Sequence, residues 1–168
     1  MHKQPAHYSS STNIGDGLKE ARLLLNDQAR EGSQRTILLM TDGIVNKPSS
    51  IPSLPSGWSD FDWDSMTDWD NDGVANYDES DLTAGSYDNQ KRYLWYQAVQ
   101  AVEAGYTINT FAVGDDADTD LMRAIAHYGG GQYMVAEGGT QISDLTDELL
   151  QKFALLASDV PDPELLPE

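Results

Sequence analysis

Thr36-Ile37-Leu38-Leu39-Met40-Thr41-Asp42-Gly43 decides how this chain folds. Ile37 to Met40 is an unbroken apolar run that stops at Asp-Gly. A strand with one wet face alternates apolar and polar residues, whereas an unbroken run suits a parallel strand covered on both faces. Leu18, Ala21, Arg22, Leu24 and Leu25 fall at helical spacing and predict a helix from Asp16 to about Ala29. Leu94, Trp95, Ala98, Val99, Ala101 and Val102 predict another from about Gln90 to Ala104, stopped by Gly105. Tyr106 to Val113 reads as a second strand and Gly114-Asp115-Asp116 as a loop. Asp118 or Thr119 can cap a helix that buries Leu121, Met122, Ile125 and Ala126. Gly129-Gly130-Gly131 ends it, Gln132 to Ala136 is a short strand, and a last helix starts at Thr140 or Ser143 and carries Ile142, Leu145, Leu149, Leu150, Phe153 and Leu156. Strands alternating with helices predict an α/β fold with a parallel sheet and right-handed crossovers. Ligands on such sheets bind outside the carboxyl ends of the strands, which is where Asp42 falls.

With 168 residues the chain is long enough for one domain with a core. Residues 1–11 read as an irregular lead-in, 12–156 as the domain, and 157–168 as an acidic, Pro-rich tail. Between about 46 and 90, Pro48, Pro52, Pro55, Gly57 and many Ser and Asp residues break all periodicity. Ordinary connections run about 2–6 residues, so this stretch reads as a functional insert.

Acidic residues outnumber basic ones 28 to 10, for a net charge of -18. That argues against nucleic acid and anionic membrane as partners. It is compatible either with simple solubility or with divalent cations, which relieve carboxylate repulsion. There is no cysteine, so disulfide scaffolds and thiolate zinc sites are excluded. No run reaches the roughly 18 apolar residues of a spanning helix, and Met1 to Ser11 has no signal-peptide core. His2, His7 and His127 show no ligand spacing, and no nucleophile–base arrangement is visible. Asp115, Asp116, Asp118 and Asp120 read as solvated loop and cap residues.

Within the insert, Asp68-Trp69-Asp70-Asn71-Asp72-Gly73-Val74-Ala75-Asn76-Tyr77-Asp78-Glu79 matches the twelve-residue EF-hand calcium pattern. Asp68, Asp70 and Asp72 at positions 1, 3 and 5 each offer an oxygen. Gly73 at position 6 permits the bend, and Val74 contributes its carbonyl. Asn76 at position 9 acts through water, and Glu79 at position 12 closes the site with two oxygens. The flanks lack the long helices of an EF-hand pair, and the loop more closely resembles the isolated calcium loops of dockerin-like and thrombospondin-like repeats. Such a loop would be structural and of modest affinity, suited to calcium-rich extracellular conditions. Trp58, Phe61, Trp63, Trp69 and Tyr77 lie around it. They form either a satellite cluster that packs the insert or an aromatic contact surface.

Thr12-Asn13-Ile14-Gly15-Asp16-Gly17-Leu18, Leu39-Met40-Thr41-Asp42-Gly43 and Ile108-Asn109-Thr110-Phe111-Ala112-Val113-Gly114 follow one another in an order that resembles the C-terminal portion of a von Willebrand factor A domain. Leu121 to Ala126, before the glycine run and Gln132-Tyr133, adds to the likeness. The resemblance implies a Rossmann-like sheet with an adhesion site for magnesium or manganese, built from an Asp-x-Ser-x-Ser loop, a threonine loop and an aspartate loop. It gives Thr12 the threonine role and Asp42 the aspartate role. Read alone, Thr12 can equally be a helix-cap hydroxyl and Asp42 the start of a turn. No Asp-x-Ser-x-Ser occurs in the chain, so the N-terminal strands of the family fold are expected to be missing and magnesium to bind only if that loop is supplied.

The expected function is therefore a noncatalytic, metal-dependent protein-binding module of a secreted or cell-surface protein, with affinity for a carboxylate-bearing protein ligand. Bacterial pilus-assembly and adhesin-like proteins with this fold often carry inserts after the aspartate loop. The alternatives are a calcium-stabilised structural fragment with an incomplete adhesion site, or a subunit assisting an ATPase, as in chelatase complexes.

Overall fold

The computed structural model describes residues 12–29, 34–47 and 67–136, together with positions 150, 151 and 154. Three parallel strands, β1 (Thr36–Thr41), β2 (Thr107–Val113) and β3 (Gly130–Ala136), form a sheet in the order β1-β2-β3. Helix α1 (Ile14–Gln28) precedes β1. Helices α2 (Glu79–Thr83) and α3 (Asp88–Glu103) lie between β1 and β2, and α4 (Thr119–Tyr128) lies between β2 and β3. This is the expected α/β architecture, a helix-flanked parallel sheet of Rossmann-like character.

The pleat sorts the strand side chains into two sets. Ile37, Leu39 and Ile108 share one core cluster with Leu18 of α1, Leu94, Trp95 and Ala98 of α3, and Leu121, Met122 and Ile125 of α4. Phe111, Met134 and Ala136 form a second cluster, with Leu38 and Val113 packed against it. The strand buried along nearly its whole length is β2, not β1 as the apolar run predicts. β1 lies at the edge of the described sheet, and its Met40 is 46% exposed.

Side-chain caps set the starts of α1, α2 and α4. Asn13 accepts the Asp16 N–H, so α1 begins two residues before Asp16. Gly15 lies beneath Tyr93 of α3, where an added Cβ would come within 2.6 Å of the ring. Absence of a side chain lets α1 and α3 approach. Of the two caps the sequence offers, Asp118 takes the role and accepts the Leu121 N–H, while Thr119 is the first residue of α4.

The glycine run has a second role beyond ending α4. Gly130 and Gly131 belong to β3, and the register shifts beside them, between Ile108 and Thr110. A Cβ on Gly131 would stand 2.1 Å from the Ile108 carbonyl oxygen. Only glycine allows β3 to enter the sheet this close to β2.

The lead-in at 1–11, Trp58, Phe61, Trp63 and the tail at 157–168 lie outside the described residues. The last predicted helix has three described positions, 150, 151 and 154, all helical. No described helix is long and apolar enough to cross a membrane.

Candidate metal centre

Thr12 and Asp42, thirty positions apart, come to adjoining loops. Thr12 forms a parallel bridge with Val45, its N–H donates to Asn46 Oδ1 at 2.7 Å, and its carbonyl accepts from the N–H groups of Asn46 and Lys47. The Thr12 hydroxyl rests against Gly43, so near that a Cβ there would stand 3.1 Å from Oγ1. The turn itself is latched by buried Thr41, whose hydroxyl donates to the Gly43 carbonyl and accepts the Gly43 N–H. Asp42 is left exposed at the end of β1. Asn13, not Thr12, caps α1, so the Thr12 hydroxyl is not spent on that role. The groups of three or more metal-competent side chains found among the described residues do not include Asp42.

The acidic loop is more fully assembled. One carboxylate oxygen from each of Asp68, Asp70 and Asp72 lies within 4.8 Å of the others. The backbone wraps around Asp68, whose two oxygens accept the N–H groups of Asp72 and Gly73, while Asp72 accepts from Val74. Gly73, at φ 89°, makes the bend that the motif assigns to it, and Asn71 also takes a left-handed conformation. Desolvation works to raise the Asp68 carboxyl. Hydrogen bonds from the Gly73, Asp72 and Asn71 amides outweigh it and hold the group below the ordinary carboxylate range. Three acidic oxygens around one point repel each other, and a hard divalent cation relieves that repulsion.

The remaining predicted ligands are placed differently. Asn76 turns its oxygen to the Trp69 N–H at 2.8 Å and its amide nitrogen to Asp70 at 3.1 Å. It thus braces the loop and orients a ligand. Glu79 is not in the acidic group; it opens α2 and faces Arg92 of α3 at 3.5 Å. Val74 carries an exposed side chain, in keeping with a role for its backbone alone.

The base of the loop is closed by buried Thr67, whose hydroxyl donates to the Tyr77 carbonyl and whose own carbonyl accepts the Asn76 N–H. From there the loop is rooted in the protein. Tyr77 and Leu82 belong to the main core cluster, and Trp69 packs against it. Trp69 also lies under the Arg123 guanidinium, 4.5 Å from the ring centroid, and meets His127 edge-on. Of the two readings open for these aromatics, a satellite cluster or a contact surface, Trp69 and Tyr77 follow the packing one, and they join the main core rather than a satellite. Sequence reading misses Thr67, Arg92 and Arg123 because each meets the loop through tertiary packing that no local spacing records.

Comparison with protein-family models, curated proteins and solved structures finds no match for this chain.

Proposed function

We propose that this chain is a noncatalytic protein-binding module of von Willebrand factor A type, held in shape by one calcium ion in the Asp68–Glu79 loop. The observation that carries the reading is the convergence of the Asp68, Asp70 and Asp72 carboxylates on the Gly73 bend, in a loop rooted in the main core. A lone loop of this kind has modest affinity and fills at extracellular calcium levels, which favours a secreted or surface protein. That setting speaks against the cytosolic chelatase-type role.

The adhesion-type half of the proposal rests on the adjoining Thr12 and Asp42 loops at the carboxyl end of β1. They supply two of the three corners of a magnesium site. The sequence holds no Asp-x-Ser-x-Ser, so this chain offers magnesium an incomplete shell. A protein ligand would complete such a site with its own carboxylate.

Calorimetric titration separates the two parts. Calcium should bind one site per chain, and Asp70→Ala with Glu79→Ala should remove it. Magnesium alone should bind weakly. Tight magnesium binding that is lost in Asp42→Ala would overturn the half-site reading, and calcium binding unchanged in the double variant would overturn the loop assignment.

A further inference from the structure

A second feature lies at the carboxyl ends of the strands, outside both candidate cation sites. An open cleft of about 460 Å³ separates Ile44, just beyond the Asp42-Gly43 turn, from Tyr87 before α3 and from the Asp115–Asp118 loop after β2. Its lining holds one lysine against three aspartates, a net of two negative charges. The lysine is already engaged. Lys91 Nζ lies 3.4 Å from Asp118 and donates to the Ala84 carbonyl. Asp118 in turn caps α4. Asp115 and Asp116 are both exposed on the rim, and Asp116 is the position to test. The same cleft is lined by two large side chains turned in part to solvent, Ile44 at 45% and Tyr87 at 43% exposure.

We infer that this cleft receives an arginine side chain of a protein ligand. Charge complementarity argues for a cation, since the local net charge is negative and the chain as a whole carries -18. The Tyr87 ring argues for arginine, whose planar guanidinium stacks on an aromatic face and meets carboxylates in a fork. Ile44 covers the aliphatic stem of the same side chain. The cleft opens beside the Thr12–Asp42 turn, so one peptide can reach both. The inference goes beyond the cation readings and does not depend on either of them.

The test is an amide-resolved NMR titration in excess EDTA with acetyl-Gly-Arg-Gly-amide, and with the citrulline peptide, which keeps the shape and removes the charge. The arginine peptide should give saturable shifts at Ile44, Tyr87 and Asp116. The citrulline peptide should bind about tenfold more weakly. Asp116→Asn, at an exposed position, should weaken the arginine peptide to a similar extent. Tyr87→Asn, which tolerates the left-handed backbone at φ 68°, should weaken it while leaving the spectrum dispersed. Shifts that do not saturate, that are equal for both peptides, that persist in both variants, or that are confined to Asp68–Asp72 would each overturn the assignment. Calcium titrated into a parallel, EDTA-free sample reports on the loop separately, so failure of one reading is distinguishable from failure of the other.

Discussion

Tyr77, the tenth residue of the acidic loop, stacks on Trp95 of α3 with ring centroids 6.4 Å apart and 27° between the planes. Both side chains are buried, and Trp95 continues the contact to Tyr128 at the end of α4. The loop therefore cannot open far without disturbing the core. Replacing Tyr77 by alanine should cost about 3–5 kcal/mol in urea unfolding and weaken calcium binding with it. Tyr77→Phe is the control. The hydroxyl has no hydrogen-bond partner among the described residues, so removing it should leave stability within about 1 kcal/mol of the parent or raise it. A larger loss in Tyr77→Phe would contradict this packing.

Glu79 has two claimants. Its carboxylate faces Arg92 at 3.5 Å, and the motif assigns it to calcium. The contact is partly exposed, and pairs of this kind are worth about 0–1 kcal/mol. Arg92→Gln should then tighten calcium by about two- to fivefold, measured by competition with a calcium chelator. Weaker binding in this variant would show that Arg92 supports the site.

The glycines at close backbone approaches make a sharper case. Gly131→Ala would force a methyl onto the Ile108 carbonyl, and Gly15→Ala would force one onto the Tyr93 ring. Overpacking costs about 1–3 kcal/mol and more where backbone must move. Gly131→Ala should thus be the more damaging. Gly17, where an added Cβ meets nothing within 4 Å, serves as the comparison. Gly17→Ala should raise stability by a few tenths to about 1 kcal/mol through helix propensity.

Asp16 links α1 to α3 through the Tyr93 hydroxyl, at 2.7 Å. That hydrogen bond, followed by the one from Asn13, holds the Asp16 carboxyl below its ordinary value of 3.8. Burial, and then the same carboxylate, push the Tyr93 hydroxyl up to about 12. The folded carboxyl pKa lies under the unfolded one, so the stabilisation is present above pH 3.8 and is lost as pH falls through the folded value. In a double-mutant cycle of Asp16→Asn and Tyr93→Phe, the coupling measured at neutral pH should shrink below pH 4. Coupling unchanged by acid would contradict the assignment.

Much of this architecture was legible in the chain. Apolar periodicity located α1, α3, α4 and the three strands, since each has a core-facing set of its own. The Asp-Gly turn, a cap at Asp118 and the convergence of Asp68, Asp70 and Asp72 around the Gly73 bend are local signals that the structure repeats, whereas Glu79 is turned to Arg92. What failed to read was tertiary. The five-residue α2 has one buried side chain, Leu82, which is too little for a period. Nothing local shows that Tyr77 reaches Trp95 or that Gly131 lies on the Ile108 carbonyl. The edge position of β1 was legible only through the missing Asp-x-Ser-x-Ser strand, which leaves Ile37 to Met40 as an exposed apolar edge; the apolar run alone reports its composition and not its neighbours.

The proposed calcium ion in the Asp68–Glu79 loop should stabilise the whole domain. Thermal unfolding followed by tryptophan fluorescence, in EDTA and then in millimolar calcium, tests it most directly. Trp69 lies in the loop and Trp95 is fully buried in the core, so far-UV circular dichroism recorded alongside must show the same transition for the signal to report the whole domain. Saturating calcium at one hundred times its dissociation constant should add about 2.7 kcal/mol and raise Tm in one cooperative transition. Asp70→Ala with Glu79→Ala should remove the rise. A Tm indifferent to calcium, or an equal rise in the double variant, would contradict the account.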